Sequence, residues 1–386
     1  MMKRFLIYVA LAMMGCACSV DREEIRILTW AGIPASQSDT LFALAKDCGI
    51  DMHMGFYSTA DQTLQVLDIA QKRGLMLIPS IKGMRDSAHR IVPVVKDHPA
   101  LYAYSVKDEP EVWDIPWLAE LRDTLAVLDP AHPTYINLYP NWAWGQEKYK
   151  ENITAFADAV DVPFLSFDQY PVTQLEDGTI AVREGWYRNL EEFSALARSK
   201  GKHFWAFALS ESHYLGPPSP PAFYPVPTTG HLRLQVFSDL LYGAQVIQYF
   251  TFRGMYDKET LAPTPVFHIV KQVNSEVKAW SEIFAGASIK GVWHTGDSVP
   301  SGTRPLVEMP HAKIKSLDMS GEGAVVSLIQ KGGSMYLAVQ NRDCVNDAVL
   351  SIDFTGKVTM ITPDSTSRIS SSQLPVECGN MVIFKL

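Results

Sequence analysis

Two short stretches of this sequence place carboxylic acids where chemistry could use them. The first is Lys107-Asp108-Glu109-Pro110, in which two adjacent acids end an apolar, aromatic run that starts at Leu101. The second is Ser210-Glu211-Ser212, directly after the apolar run from His203 to Leu209. An acid at the mouth of a buried segment is costly to desolvate unless it is paired or used. Two such carboxyls can divide a reaction between them. One protonates a departing oxygen and the other attacks or activates water, which is what cleavage of a glycosidic bond requires. Their surroundings would have to set the two pKa values apart. Plainer readings stand beside this one. Asp108 could pair with Lys107 or Lys82 at a rim, and Glu211 could be a solvated loop residue.

Acids at strand ends need a scaffold that brings those ends together. The spacing predicts strands over 26–30, 51–56, 75–81, 101–106, 133–138, 162–167, 203–209 and 246–252, each a near-continuous apolar run as parallel strands covered on both faces should be. Helical patterns fall between them at 39–47, 60–72, 92–96, 113–128, 153–160, 186–199 and 231–242, several closed by Gly or Asp-Pro. Strand and helix alternating through roughly 250 residues is the pattern and size of a (β/α)8 TIM barrel, an α/β fold. A doubly wound open sheet is the competitor, but no Gly-rich phosphate loop follows the first strand.

Barrel chemistry sits at the C-terminal strand ends. Reading those ends in turn gives the candidate site: Trp30, Tyr57, Asp108, Glu109, Asn137, Trp142, Asp168, Tyr170, Glu211 and Phe250. Glu109 and Glu211 are the candidate catalytic pair, since strands 4 and 7 lie roughly across an eight-stranded barrel. The others are candidate substrate contacts. The loop from Tyr214 to Gly230 carries six prolines and two tyrosines and is expected to act as a lid, a subsite wall or a rigid connector.

A barrel with Glu109-Pro110 after strand 4 and Glu211 after strand 7 resembles the retaining glycosidases of clan A, sometimes called the 4/7 superfamily. The resemblance implies Glu109 as acid/base, Glu211 as nucleophile, Tyr170 as the residue that orients the nucleophile, and a carbohydrate substrate, oligo- or polysaccharide. Asp108 stands where that clan usually has Asn, strand 8 ends in Phe250 and Phe252 where Trp is frequent, and the surroundings of Glu211 are not a close copy. The adjacent Asp108-Glu109 also resembles the acid pair of substrate-assisted β-N-acetylhexosaminidases. There the Asp orients a 2-acetamido group and no strand-7 nucleophile is needed. A third expectation, from another class, is a surface glycan-binding barrel that has lost catalysis.

The ends of the chain read differently. Lys3 and Arg4 precede the apolar run 5–14 and then Gly15-Cys16, which is too short to span a membrane and fits an export signal. It resembles a bacterial lipobox, implying a lipid on Cys16 (Cys18 being a second choice) and attachment to the outer membrane, periplasmic or at the cell surface. A plain secretory signal is the alternative. The expected division is signal and tether over 1–20, barrel over 21–284 and, from 285 to 386, short alternating segments that read as an antiparallel β-sandwich. The resemblance to clan A extends to such a C-terminal sandwich. Cys344 and Cys378 lie in that last part, where an oxidising compartment would permit a disulfide. A net charge of −8 without a dense Lys/Arg stripe argues against nucleic acid as a partner. No cofactor motif and no His/Cys/carboxylate set with metal-ligand spacing is present, so neither cofactor nor catalytic metal is expected.

Overall fold

A computed structural model describes residues 24–183, 185–214 and 223–386. Cys16, Cys18 and residues 215–222 of the Pro-rich loop lie outside the described residues.

Eight parallel strands form the barrel: β1 (Arg26–Trp30), β2 (Met52–Tyr57), β3 (Met76–Ile81), β4 (Tyr104–Asp108), β5 (Thr134–Leu138), β6 (Phe164–Phe167), β7 (His203–Leu209) and β8 (Val246–Phe250). They hydrogen-bond in the order β3-β2-β1-β8-β7-β6-β5-β4. The seam between β3 and β4 is closed by Leu77, whose N–H donates to Ala100 O at 2.7 Å and whose carbonyl accepts from Tyr102 N at 2.9 Å. The helices α1 (Ser38–Asp47), α2 (Ala60–Arg73), α3 (Met84–Val95), α4 (Ile115–Leu128), α5 (Gln146–Ala159), α6 (Trp186–Ser199), α7 (Thr229–Tyr242) and α8 (Pro265–Phe284) surround it. The strand reading therefore lands on all eight barrel strands. The helix over 92–96 begins earlier than expected, at Met84, because Pro93 and the non-helical Ser87 break its apolar periodicity.

Successive strand residues alternate between the barrel interior and the helix layer. Leu28, Met52, Met54, Ile78, Ala103, Tyr135, Phe164, Trp205 and Val246 fill the interior as one cluster. The stacked rings of Phe164 and Trp205, with centroids 3.7 Å apart, lie among them. This apolar plug leaves the C-terminal end of the barrel as the place for polar side chains. Two short hairpin arms decorate that end. Val172–Gln174 pairs with Ile180–Val182, and His213–Tyr214 with Phe223–Tyr224, joined through Phe223 and Gln174 into one four-stranded sheet.

After α8 come seven antiparallel strands: β9 (Ser288–His294), β10 (Ile314–Met319), β11 (Ala324–Lys331), β12 (Ser334–Asn341), β13 (Ala348–Ile361), β14 (Thr366–Val376) and β15 (Met381–Lys385). Their order is β9-β11-β12-β15-β13-β10, with β14 on the free edge of β13. A register shift between Asp353 and Val358 bends β13, so the sheet curls over its own core of Leu317, Val326, Leu337, Leu350, Phe354 and Phe384. The unit is sandwich-like, built from one continuous curled sheet. Its opposite face, with Val325, Ile329, Ala338 and Ile383, joins the main barrel core. Between the two lies α7, buried at every position from Gly230 to Tyr242. Among the described residues no helix is long and apolar enough to cross a membrane.

Candidate active site

Above the apolar plug, the inward positions of β5, β6 and β8 turn polar and bind one another. Tyr135 donates its hydroxyl to Gln248 Oε1 at 2.7 Å, and Gln248 Nε2 donates to Ser166 Oγ at 2.8 Å. Ser166 Oγ in turn donates to Asn137 Oδ1 at 2.8 Å. Both amide hydrogens of Asn137 are then directed at acids, Asp168 Oδ1 at 2.7 Å and Asp108 Oδ1 at 3.2 Å. This chain of buried donors fixes two carboxylates, from the strands on either side of β5, at the barrel mouth. A satisfied buried network of this kind is rigid, since no member can turn without losing a partner.

Glu109 stands beside these acids. Its N–H still donates to Asn137 O at 2.8 Å, but its φ of +46° is left-handed, where side chains other than Gly are rarely found. A register shift between Ser105 and Lys107 precedes it and re-aims the strand tip. Burial first, then the charges of Asp168 and Asp108, push the Glu109 carboxyl up to about 8. Burial and Asp108 push Asp168 up to about 7, offset in part by hydrogen bonds from Asn137 and Tyr170. Asp108 keeps solvent exposure at the strand end, and burial raises its carboxyl against the pull of Asn137 and Lys107. The three acids therefore share one negative field, felt most by Glu109.

Glu211 has a different setting. Arg253 grips it with two bonds, Nε to Oε1 at 2.7 Å and Nη2 to Oε2 at 2.9 Å. Thr251 donates its hydroxyl to Oε2 at 3.0 Å. Its carboxylate is mostly covered while Arg253 is half exposed. Glycine at 254 is required here, because a Cβ at that position would strike the Ser210 carbonyl and the Glu211 backbone. The carboxylates that act on Glu109 most strongly are Asp168 and Asp108. Glu109 and Glu211 thus differ as an acid pressed by like charges and a carboxylate held by a cation.

Aromatic rings line the wall from β1 to the hairpin arms. Phe250 lies 5.5 Å from Trp30 and 5.5 Å from Tyr170 by ring centroids. Tyr170 meets Tyr224 edge-on at 6.0 Å, and His213 lies 5.8 Å from Phe250. The described part of the Pro-rich loop thus forms a wall beside Tyr170 and Phe250. Trp142 lies apart, in a second cluster with Tyr139, and is 57% exposed. Trp144, beside it, donates its indole N–H to Glu111 Oε2 at 3.0 Å.

Tyr57 is not in this wall. Inward positions on β2 are Met52 and Met54, so by the two-residue repeat the inward tip is Phe56. Tyr57 points to the helix layer, buried, with its hydroxyl unpartnered and close to Gly55. Phe56 is 60% exposed and meets Trp30 edge-on at 5.5 Å. Two further residues, one of them at the tip 250–253 of the eighth strand, are given no role by the sequence. Arg253 lies just past a strand end, and Gln248 is a lone amide inside the apolar strand Val246–Phe250, which is a readable sign of a buried polar network. Among the described residues no group of three or more His, Cys, Asp or Glu is placed to hold a metal ion.

No family model matches the chain, and no curated protein matches it. Solved structures that it resembles include a glycoside hydrolase family 5 mannosidase from Rhizomucor miehei, with 10% identity, 65% of this chain and 92% of that chain covered, and a TM-score of 0.43. An endoglucanase of Pseudomonas stutzeri in complex with cellobiose matches with 12% identity over 61% of this chain and 83% of that one, at a TM-score of 0.42. An N-acetylneuraminate lyase from Mycoplasma synoviae matches with 10% identity over 67% and 75%, at 0.41. Likeness at this level assigns no activity and no residue role.

Proposed function

We propose that the chain is a glycoside hydrolase acting on oligo- or polysaccharide, with Glu109 as general acid/base and Glu211 as nucleophile. The observation that carries the reading is Glu109 itself. A carboxyl at the C-terminal end of a barrel strand, raised to about 8, keeps its proton at neutral pH and can deliver it to a departing glycosidic oxygen. Glu211 is presented as an ion-paired carboxylate. Its Oε2 accepts from both Arg253 and Thr251, while Oε1 accepts from Arg253 alone and keeps a lone pair for attack on the anomeric carbon. In the second half of the reaction Glu109, now ionised, takes a proton from the water that releases the sugar.

A second reading has its own support. Asp108, Glu109, Asp168 and Tyr170 form one connected group through Asn137, and Glu211 is tied elsewhere. That favours substrate assistance, with Asp108 orienting a 2-acetamido group. Aryl β-glycosides with and without that group separate the two. Turnover of plain glycosides that is lost in Glu109→Gln, lost in Glu211→Ala and restored to the latter by azide supports the retaining mechanism. Turnover confined to acetamido sugars, with Asp108→Asn inactive and Glu211→Ala active, moves the chemistry to Asp108. Sugar binding without turnover of any glycoside overturns the hydrolase reading in favour of a glycan-binding protein.

We further propose that the chain is exported and anchored to the outer membrane through a lipid on Cys16, on the strength of the charged, apolar and Gly15-Cys16 sequence of its first residues. Radiolabelled palmitate should enter the wild-type protein and not Cys16→Ser. Equal labelling of both overturns the assignment.

A further inference from the structure

Outside the barrel mouth, the structure brings together two cysteines that lie far apart in the sequence. The N–H of Gly379 donates to Asp343 O at 2.7 Å, and two residues back along β12 the N–H of Asn341 donates to Asn380 O at 2.9 Å. The chain after β12 therefore runs antiparallel to the turn that enters β15. One step further along each chain from the bonded pair Asp343 and Gly379 come Cys344 and Cys378. A disulfide spans Cα atoms roughly 4.4–6.8 Å apart, so it requires two cysteines placed as close together as a backbone hydrogen bond between their neighbours brings them.

A second observation locates the sulfur. Gly230, in the first turn of α7, could carry no side chain, because its Cβ would overlap both the Cys344 carbonyl oxygen and the Cys378 Sγ. The Cys378 sulfur is thus already seated at the Cys344 backbone. Both flanks are pinned. Asp347 Oδ1 accepts from Cys378 N at 2.9 Å, Asp343 Oδ1 accepts from Val345 N at 2.8 Å and from Asn346 N at 3.0 Å, and Arg233 on α7 holds Glu377. Neither cysteine is disulfide-bonded as described, Cys344 being buried and Cys378 half-buried.

We propose that Cys344 and Cys378 are a disulfide site, closed by exchange with a low-molecular-weight or protein disulfide, that staples the C-terminal sheet beneath the first turn of α7. Cys378, the accessible thiol, loses its proton and attacks one sulfur of the donor disulfide, releasing one donor thiol. Cys344 then loses its proton and attacks Cys378 Sγ, releasing the second. The donor gains two electrons and two protons, and the protein loses both. The loop so closed contains β13 and β14, so the bond removes freedom from the unfolded sheet. This proposal is independent of what the barrel hydrolyses.

The experiment uses the full chain, reduced, then equilibrated with oxidised glutathione, denatured, alkylated and peptide-mapped without reductant. A Cys344–Cys378 linked peptide is expected in most molecules, with Cys48 alkylated. Oxidation should also raise Tm by roughly 5 °C, a shift abolished in Cys378→Ser while that variant melts like the reduced wild type. Recovery of Cys344 as a free thiol with glutathione on Cys378, or of both as free thiols, overturns the proposal.

Discussion

Glu109 carries two costs that an ordinary surface glutamate avoids, a left-handed backbone and a desolvated carboxyl. The second has a sign that can be measured. Its ordinary value is 4.5 and its folded value about 8, so between those pH values the folded state holds a proton that the unfolded chain has released. Stability from this group is complete below pH 4.5 and is lost as pH rises through 8. Glu109→Gln should therefore abolish turnover and, in the same protein, flatten the fall of Tm between pH 5 and pH 8, roughly the window set by the two values. In the active wild type, kcat/KM should decline above about pH 8 as the acid ionises. A variant that loses activity but melts with the wild-type pH dependence would show that Glu109 is not desolvated in solution. A second residue-scale prediction separates Phe56 from Tyr57. Phe56→Ala should raise KM for sugar roughly 2- to 10-fold by removing a ring face, while Tyr57→Phe should leave KM unchanged. Equal effects from both would put the ring of Tyr57 in the site. The acids were legible in the sequence because Pro110 and the end of each apolar run mark strand ends. The sequence reads Tyr57 as the inward tip where the structure presents Phe56, since in a period of two an error of one residue reverses the face.

At the scale of elements, the site depends on α7. Gln235 on α7 accepts from Leu209 N at 2.9 Å and so fixes the end of β7 just before Glu211. The same helix is held from behind by Gln340 of β12, which donates to the carbonyls of Arg233 and Leu234 at 3.1 Å and of Gly379 at 3.0 Å, and accepts from Ser238 at 2.7 Å. Gln340→Leu would strand those groups without water. Each buried unsatisfied partner costs about 1–3 kcal/mol, so a loss of roughly 2–4 kcal/mol in urea unfolding is expected, together with a fall in kcat for any glycoside turned over. An unchanged midpoint would mean that the brace is loose. These elements differ in how well the sequence showed them. β1 and β7 are readable to the residue because both faces are apolar. β14 is not, because Thr366–Val376 lies on an exposed edge and is mostly Ser, Thr and Gln, without the alternation that marks a half-buried strand. β10 hides for a related reason, its Lys315, Ser316 and Asp318 being exposed between buried neighbours.

At the scale of the whole molecule, the barrel and the C-terminal sheet share one buried helix. A helix whose every face is buried cannot be solvated on its own, and α7 has its two covers in different halves of the chain, β7 on one side and β11 and β12 on the other. Ser327 of β11 donates to Leu241 O at 2.8 Å, and Tyr242 and His294 bond at 2.9 Å, so polar contacts cross the same boundary. The largest apolar core runs without a break from Ile25 of the barrel to Ile383 of β15. Removing residues 285–386 would uncover α7 along its length, an apolar area of the kind that drives aggregation. The truncated chain ending at Phe284 should therefore be insoluble or melt without a sharp transition, while the intact chain should unfold in a single step by both circular dichroism and Trp fluorescence. A soluble truncated barrel with a sharp transition of its own would show that α7 is stable without its second cover. The C-terminal sheet would then be an appended module, and the placement of Glu211 would rest on the barrel alone.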